Sequence, residues 1–156
     1  MKMTKKVSPG FITTSVYPTI SGDTTIKMED GSLVPIKQVQ VGNRVPSYDV
    51  RKREGEVTEI TSITSVGVSD LVVVHLEGGS NIRCTHNFMF GCKCGAKIPA
   101  FSMHWRRVLS SKDEAPIVVD MDFYEGLDEP EPMYNITLKN GYAFYVTDLE
   151  VVVNSL

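Results

Sequence analysis

The stretch Thr19-Ile20-Ser21-Gly22-Asp23-Thr24, read with the segments that follow it, decides the fold. Short β-branched stretches separated by Gly, Pro and Asp/Asn turns lie on both sides of it. Glu29-Asp30-Gly31-Ser32 then separates two more short β-type segments, residues 24–28 and 33–36, and an Asp-Gly pair is a strong hairpin signal. The sequence therefore predicts closely spaced, turn-linked strands at this point of the chain.

The same pattern of short strands and turns continues through most of the sequence. A hairpin is predicted around Glu77-Gly78-Gly79-Ser80, and another around Lys139-Asn140-Gly141, with Asn140-Gly141 in a type I′ turn. The predicted strands are residues 11–17, 43–49, 57–68 (long and bent), 71–76, 81–84, 117–124, 133–138, 142–146 and 149–153. Residues 91–116 are expected to be irregular, and only residues 36–41 and 102–109 have a short helical pattern. The fold class predicted is all-β.

Bulk composition limits the protein to a few classes. The 156 residues suit one domain, and 42% hydrophobic with 22% charged residues predict a globular chain rather than a disordered one. A net charge of −3 without a basic stripe argues against a nucleic-acid partner. No apolar run approaches the ~20 residues of a membrane span. No secretory signal is visible, because Val7-Ser8-Pro9-Gly10 follows the basic start. We expect a cytoplasmic or virion-associated protein.

The three cysteines do not form a familiar cysteine motif. An odd number argues against a secreted disulfide framework. Cys92-Lys93-Cys94 lacks the usual Cys-x2-4-Cys spacing of a zinc site. A zinc set drawn from Cys84, His86, Cys92, Cys94 and His104 is the alternative. The spacing favours ordinary thiols, and we predict neither a metal nor a cofactor.

Several segments, taken together and in order, resemble the conserved blocks of inteins and of the wider Hint-domain group. Residues 19–24, the Asp-Gly turn and residues 36–42 before Val45 resemble the opening block. Residues 76–85 resemble the second block, and residues 134–137 with 144–146 resemble the third. The ending Val152-Val153-Asn154-Ser155 resembles the C-terminal junction. The resemblance covers the chain from about Thr19 onward.

This resemblance implies a horseshoe of short antiparallel strands with pseudo-two-fold symmetry, in which two junctions meet at one central site. It divides the chain into an N-terminal flank, residues 1–18, an intein-like domain, residues 19–154, and a residual flank, residues 155–156. The interval between the second and third blocks has no room for a homing endonuclease. The chain therefore resembles a mini-intein.

At the first junction the resemblance assigns the nucleophile to Thr19, where inteins have cysteine or serine. A threonine hydroxyl is a weaker nucleophile than a thiol and needs a positioned base. The second block normally carries Thr-x-x-His, whose histidine labilises the first scissile bond. Thr85 matches the threonine, but Phe88 stands at the histidine position. His86 is displaced by two residues, and on a strand it would lie ~6–7 Å from Phe88 along the chain.

At the second junction Asn154 and Ser155 match the pair that cyclises and accepts an acyl group. The penultimate histidine, which would polarise the scissile carbonyl, is Val153. The acidic or cysteine position of the third block is Asn135, and the assisting histidine aligns with Tyr142 or Ala143. Each lost acid or base typically removes about a hundredfold to ten-thousandfold of rate.

Two functions remain open from the sequence. The first is a splicing-deficient intein-like domain, retained as a structural or interaction module, for example in a phage structural protein, with a protein partner or self-assembly. The alternative is an active autoprocessing intein that splices or cleaves at Asn154-Ser155. In that case the catalytic candidates are Thr19, Thr85, His86, Asn154 and Ser155, and the partners are the chain's own flanking segments.

Overall fold

Strands form nearly all of the regular structure in the computed structural model, which describes residues 6–7, 17–49, 54–93, 96–103, 109, 116–141 and 143–156. Within these residues there are two short 3-10 turns, Ile36–Gln38 and Ala100–Ser102, and no α-helix. The strands in chain order are β1 (Lys6–Val7), β2 (Ile20–Ser21), β3 (Thr25–Lys27), β4 (Leu33–Pro35), β5 (Arg44–Asp49), β6 (Glu54–Val68), β7 (Leu71–Leu76), β8 (Asn81–Cys84), β9 (Met89–Gly91), β10 (Lys97–Pro99), β11 (Val118–Tyr124), β12 (Glu131–Leu138), β13 (Ala143–Val146) and β14 (Val151–Asn154).

The long strand β6 joins two antiparallel sheets. Its first half pairs with β5, from Glu54 to Glu59, and its second half pairs with β12, up to Val68. The register shifts between Ile60 and Ser62, which leaves Thr61 as an extra residue that bends the strand. One sheet has the order β1-β11-β7-β8-β2-β12-β6, and the other has the order β6-β5-β13-β14-β9-β10, with β3 paired to β13 and β4 paired to β3. The all-β prediction is confirmed, and so is a long strand across residues 57–68.

Two of the predicted hairpins form where the turn residues indicated. β3 and β4 pair around the Asp-Gly turn, where Gly31 has φ of +88° and the Asp30 carboxylate accepts from the Ser32 amide. β7 and β8 pair around Gly78 and Gly79, which both have positive φ. Glycine adopts this backbone conformation without the steric cost of a Cβ atom, so the turn residues determine these hairpins.

The predicted hairpin between β12 and β13 is wrong. Leu138 pairs with Ile60 on β6, whereas Ala143 pairs with Tyr48 on β5, so the connection crosses from one sheet to the other. The type I′ turn is wrong too, because Gly141 has φ of +72° but Asn140 does not have a positive φ. The Asn140 amide instead donates to the Ser47 hydroxyl. Pairing with the long β5–β6 hairpin overrides the local turn signal.

The predicted helical segments are shorter than their sequence pattern. Residues 36–41 contain only the 3-10 turn Ile36–Gln38, since Val39 is already extended. Of residues 102–109, Ser102 ends the second 3-10 turn and Met103 is extended, while residues 104–108 lie outside the described residues. Residues 91–116 are not wholly irregular, because β9 and β10 pair there. The predicted strand at residues 11–17 falls outside the described residues except for Tyr17.

A single large apolar cluster fills the space between the sheets. Its fully buried side chains come from most of the strands of both sheets and include Ile20, Ile60, Phe90, Phe144 and Val153. Burial of this apolar area is the main stabilising term for such a fold. No helix among the described residues is long and apolar enough to cross a membrane. β2 and β14 both bury side chains in this core, and this burial positions the chain segments next to them.

Candidate functional site: the two junctions on β12

The peptide bond between Pro18 and Thr19 lies at the entrance to the short strand β2. Ile20, the first residue of β2, pairs with Cys84 on β8 and with Tyr134 on β12. The residue before β2 is therefore placed between the next residues of these two neighbours, Thr85 and Asn135. Thr19 is completely buried there. Two neighbouring strands thus position the first predicted junction.

Both polar groups of this peptide bond are hydrogen-bonded. The Thr19 amide donates to the Thr85 hydroxyl oxygen at 3.0 Å, and that hydroxyl lies 2.8 Å from the Asn87 side-chain oxygen, to which it donates. On the other side, the Asn135 side-chain amide donates to the Pro18 carbonyl at 2.9 Å. The Asn135 oxygen accepts from the Ile136 amide at 2.8 Å, which fixes the orientation of the side chain. A donor aimed at a carbonyl in a buried site stabilises negative charge that develops on its oxygen.

The Thr19 hydroxyl is not activated by its surroundings. It donates to the Tyr17 carbonyl oxygen at 3.3 Å, and a backbone carbonyl is not a base that can take its proton. The thiol of Cys84, which precedes Thr85, is fully buried, and burial raises its pKa well above the ordinary value. Neither group is a ready nucleophile at neutral pH.

The second block bends into a turn rather than continuing as a strand. The Phe88 amide donates to the Thr85 carbonyl at 3.1 Å, so Thr85 to Phe88 form a four-residue turn. The strand spacing predicted between His86 and Phe88 is therefore wrong, because both residues lie in this turn. Phe88 points into the core and is completely buried, with its ring edge-on to Phe90 at 5.4 Å. The position that the resemblance assigns to a histidine is therefore part of the apolar core.

His86 packs outside the hydrogen bonds that hold Thr19. Its ring lies 6.3 Å from the Phe101 ring, and its carbonyl accepts from the Phe101 amide at 2.8 Å. The hydrogen bonds of Thr19 go to Thr85 and Tyr17 and do not include His86. In this arrangement His86 does not supply a base to the Thr19 hydroxyl.

The second junction reaches the same strand as the first. Asn154 ends β14 opposite Ala143, and the Leu156 amide donates to the Ile136 carbonyl on β12 at 2.9 Å. Ile136 directly follows Asn135, which holds the Pro18 carbonyl. Consecutive residues of β12 therefore bind the chain before Thr19 and the chain after Asn154. The structure brings together Thr19, Thr85 and the segment at Ser155. The contact of Asn135 with the Pro18 carbonyl is an addition that the sequence did not predict.

Solved structures with the same architecture include inteins and an intein-like domain. An intein-like domain from Clostridium thermocellum has a TM-score of 0.80 at 22% identity, covering 90% of this chain and 100% of its own. A DnaB intein from Synechocystis sp. PCC 6803 has a TM-score of 0.76 at 15% identity, covering 89% and 99%. The gp41-1 intein has a TM-score of 0.67 at 15% identity, covering 90% and 100%.

The chain has an intein-like Hint fold. This confirms the predicted horseshoe of short antiparallel strands with pseudo-two-fold symmetry. No protein-family model and no curated protein matches the sequence, so the similarity is one of structure.

In the intein-like fold, the C-terminal junction is also surrounded by apolar side chains. Val153, which precedes Asn154, is completely buried and pairs with Phe144 on β13 and with Phe90 on β9. Phe90 in turn contacts Phe88 of the second block. Phe88, Phe90 and Val153 thus form one apolar junction cluster. Two of the three positions that the resemblance assigns to histidines, Phe88 and Val153, belong to it.

A polar cleft of about 800 Å³ opens next to β2. Arg83 on β8 pairs with Glu131 on β12 at 2.5 Å, across the short strand between them, and Lys37 pairs with Asp23. The hydrogen bond with Lys37 lowers the pKa of Asp23. These four charges thus form two ion pairs of opposite sign along the cleft. Within the described residues no three metal-ligating side chains gather, and Cys94 and His104 lie outside that part of the chain.

The pKa of His86 provides a test of its environment. Burial lowers this pKa, and the negative charge of Asp70 opposes part of the shift. The unfolded state, with a histidine pKa of about 6.5, therefore binds this proton more readily than the folded state. The free energy of unfolding should fall as pH drops through about 6.5 towards the folded pKa, and His86→Gln should make this fall smaller. An NMR titration of the His86 ring with a midpoint at or above about 6.5 would contradict the prediction.

Proposed function

We propose that this chain is an intein-like domain that has lost efficient splicing and is retained as a folded structural or interaction module. The observation that carries the proposal is the apolar junction cluster. Active inteins, by the resemblance, use histidines at the positions of Phe88 and Val153, and these two side chains are completely buried here. Neither side chain can donate or accept a proton.

The loss of acid–base groups outweighs the groups that remain. Two missing general acids or bases at about a hundredfold to ten-thousandfold each lower the rate by a factor of at least about 10⁴. Asn154 and Ser155 keep the reacting atoms of asparagine cyclisation. Without assistance, however, attack of the Asn154 amide on its own carbonyl proceeds only at the slow rate of an ordinary peptide. We therefore expect the chain to remain uncut.

Intact-mass measurement tests this function directly. We expect the full-length mass to stay unchanged after expression and prolonged incubation, with and without a thiol or hydroxylamine. The intact mass of the Asn154→Ala variant should stay unchanged over the same incubation, as in the natural chain. Loss of Ser155-Leu156, or of residues 1–18, in the natural chain but not in the matching alanine variant would overturn the proposal.

A second function is favoured by the hydrogen bonds at Pro18-Thr19. Here the Thr19 hydroxyl oxygen would attack the Pro18 carbonyl carbon, forming an ester while the Pro18–Thr19 amide bond breaks. The hydroxyl proton would end on the freed Thr19 nitrogen. Asn135 would hold the developing negative charge on the Pro18 oxygen, and Thr85 would orient the nitrogen. This N-to-O acyl shift is the first step of an autoprocessing domain.

Thr19→Cys provides the sharpest test of this second function. A thiol is a better nucleophile and a better leaving group than a hydroxyl, even where burial opposes its ionisation, so hydroxylamine should release residues 1–18 faster from this variant than from the natural chain. Adding Asn135→Leu should reduce that rate by about a hundredfold to a thousandfold, as for loss of an oxyanion donor. Asn81→Leu, at an exposed asparagine of β8, serves as the control and should leave the rate unchanged. A double variant as fast as Thr19→Cys alone would remove Asn135 from this role.

A further inference from the structure

The outer edge of β11 is covered by a piece of the N-terminal flank. β11 pairs on its inner side with β7, through Leu71–Leu76. On its outer side Lys6 pairs with Tyr124 and Val7 with Phe123, in antiparallel register. Within the described part of the chain, β1 is the outermost strand of this sheet and covers two residues of the seven in β11.

We propose that the outer edge of β11 is a binding site for a basic, extended strand, and that Lys6–Val7 of this chain's own flank is its occupant. Strand edges present unpaired backbone N–H and C=O groups and tend to recruit another strand. Supplying that strand in cis covers one end of the edge and competes there with a second copy. The site lies away from both junctions, so the proposal holds whether or not the Pro18–Thr19 bond is ever cut.

Charge identifies the kind of strand that this edge accepts. Residues 118–129, which include β11, contain five acidic residues and no lysine or arginine, namely Asp120, Asp122, Glu125, Asp128 and Glu129. The flank, residues 1–18, contains Lys2, Lys5 and Lys6 and no acidic residue. Opposite charges on two partners favour their encounter and fix their orientation. A basic strand is therefore preferred over an acidic one.

The length of the flank allows it to serve both the edge and the first junction. β1 and β2 belong to the same sheet and are separated by four strand-to-strand steps, β1-β11-β7-β8-β2. At about 4.8 Å a step this distance is roughly 19 Å, whereas the twelve residues from Ser8 to Thr19 span up to about 40 Å when extended. The flank can bind β11 while Pro18 stays hydrogen-bonded to Asn135.

Hydrogen exchange on the full chain tests the proposal. Lys6→Pro/Val7→Pro removes both backbone donors of β1, while Lys6→Arg/Val7→Ala retains them together with the positive charge and is the matched control. We expect the amide of Phe123 or Tyr124 that faces β1 to exchange at least about tenfold faster in the proline variant and about as slowly as in the natural chain in the control variant. Amides of β13 serve as the internal reference and should not change.

The other outcomes of this experiment also support or overturn the proposal. Unchanged exchange at both Phe123 and Tyr124, or an equal acceleration in β13, would overturn the proposal. Dimerisation of the proline variant, seen by light scattering, would support it, because a second copy would then occupy the freed edge. In the natural chain, raising the salt from about 0.05 M to about 0.5 M should accelerate exchange at this edge, since salt screens the charges. Absence of any salt effect would overturn the preference for a basic strand.

Discussion

Val153→His is expected to raise the rate of cleavage after Asn154 by about a hundredfold to ten-thousandfold over the natural chain. The Asn154 side-chain nitrogen attacks its own carbonyl carbon, the bond to the Ser155 nitrogen breaks, and that nitrogen leaves with a proton. A histidine directly before Asn154 can donate a hydrogen bond to the carbonyl as it becomes negative. Loss of Ser155-Leu156, followed over days by intact mass, measures the rate.

The control for this substitution separates chemistry from packing. Val153 is completely buried between Phe144 and Phe90, so a larger side chain should cost about 1–3 kcal/mol of stability. Val153→Phe adds a ring without an ionisable group and should disturb the packing similarly without accelerating cleavage. A folded Val153→His variant that cleaves no faster than Val153→Phe would show that the penultimate position is not what limits Asn154.

Phe88→Ala is expected to lower the free energy of unfolding by about 3–5 kcal/mol. The Phe88 side chain is completely buried and touches Phe90 edge-on, and its removal leaves a cavity in the centre of the core. Urea denaturation followed by fluorescence or circular dichroism gives the change. Such a loss would show that this position now serves stability where, by the resemblance, active relatives use it for chemistry.

Phe101→Ala is the matched control for Phe88→Ala. The Phe101 side chain is 45% exposed and packs on the His86 ring, so its removal should cost less than about 1 kcal/mol. Equal losses for the two variants would contradict the assignment of Phe88 to the core, since burial is what distinguishes them.

Much of the fold was predictable because its local signals agree with its long-range pairing. β7 and β8 begin and end at the predicted residues, since glycines with positive φ form the turn between them. The connection at Asn140-Gly141 was not predictable in the same way. A local hairpin signal there competes with pairing to the long strands β5 and β6, and only the three-dimensional structure shows which pairing wins. Residues 11–16 and Tyr142 remain predictions, since they lie outside the described residues.

The site was predictable in its positions but not in its contacts. The resemblance indicated Thr19, Thr85 and Asn154 by their place in sequence blocks. It could not indicate that the Asn135 amide faces the Pro18 carbonyl, because that contact depends on β2 lying between β8 and β12. In the sequence, Asn135 indicates only that the third block lacks its acidic residue. Its capacity to donate a hydrogen bond was visible in the residue type, but no partner was visible in the sequence.

Both junctions bind to adjacent residues of β12, so a change in β12 affects the two junctions together. Asn135 binds the chain before Thr19 with its side chain, and Ile136 binds the chain after Asn154 with its backbone. Side chains of adjacent strand residues face opposite sides, so a one-residue insertion between Met133 and Asn135 would turn the Asn135 amide away from Pro18 and shift the residue that receives Leu156. One small displacement would thus release both ends of the domain together. The register of β12 therefore sets the positions of both chain segments at once.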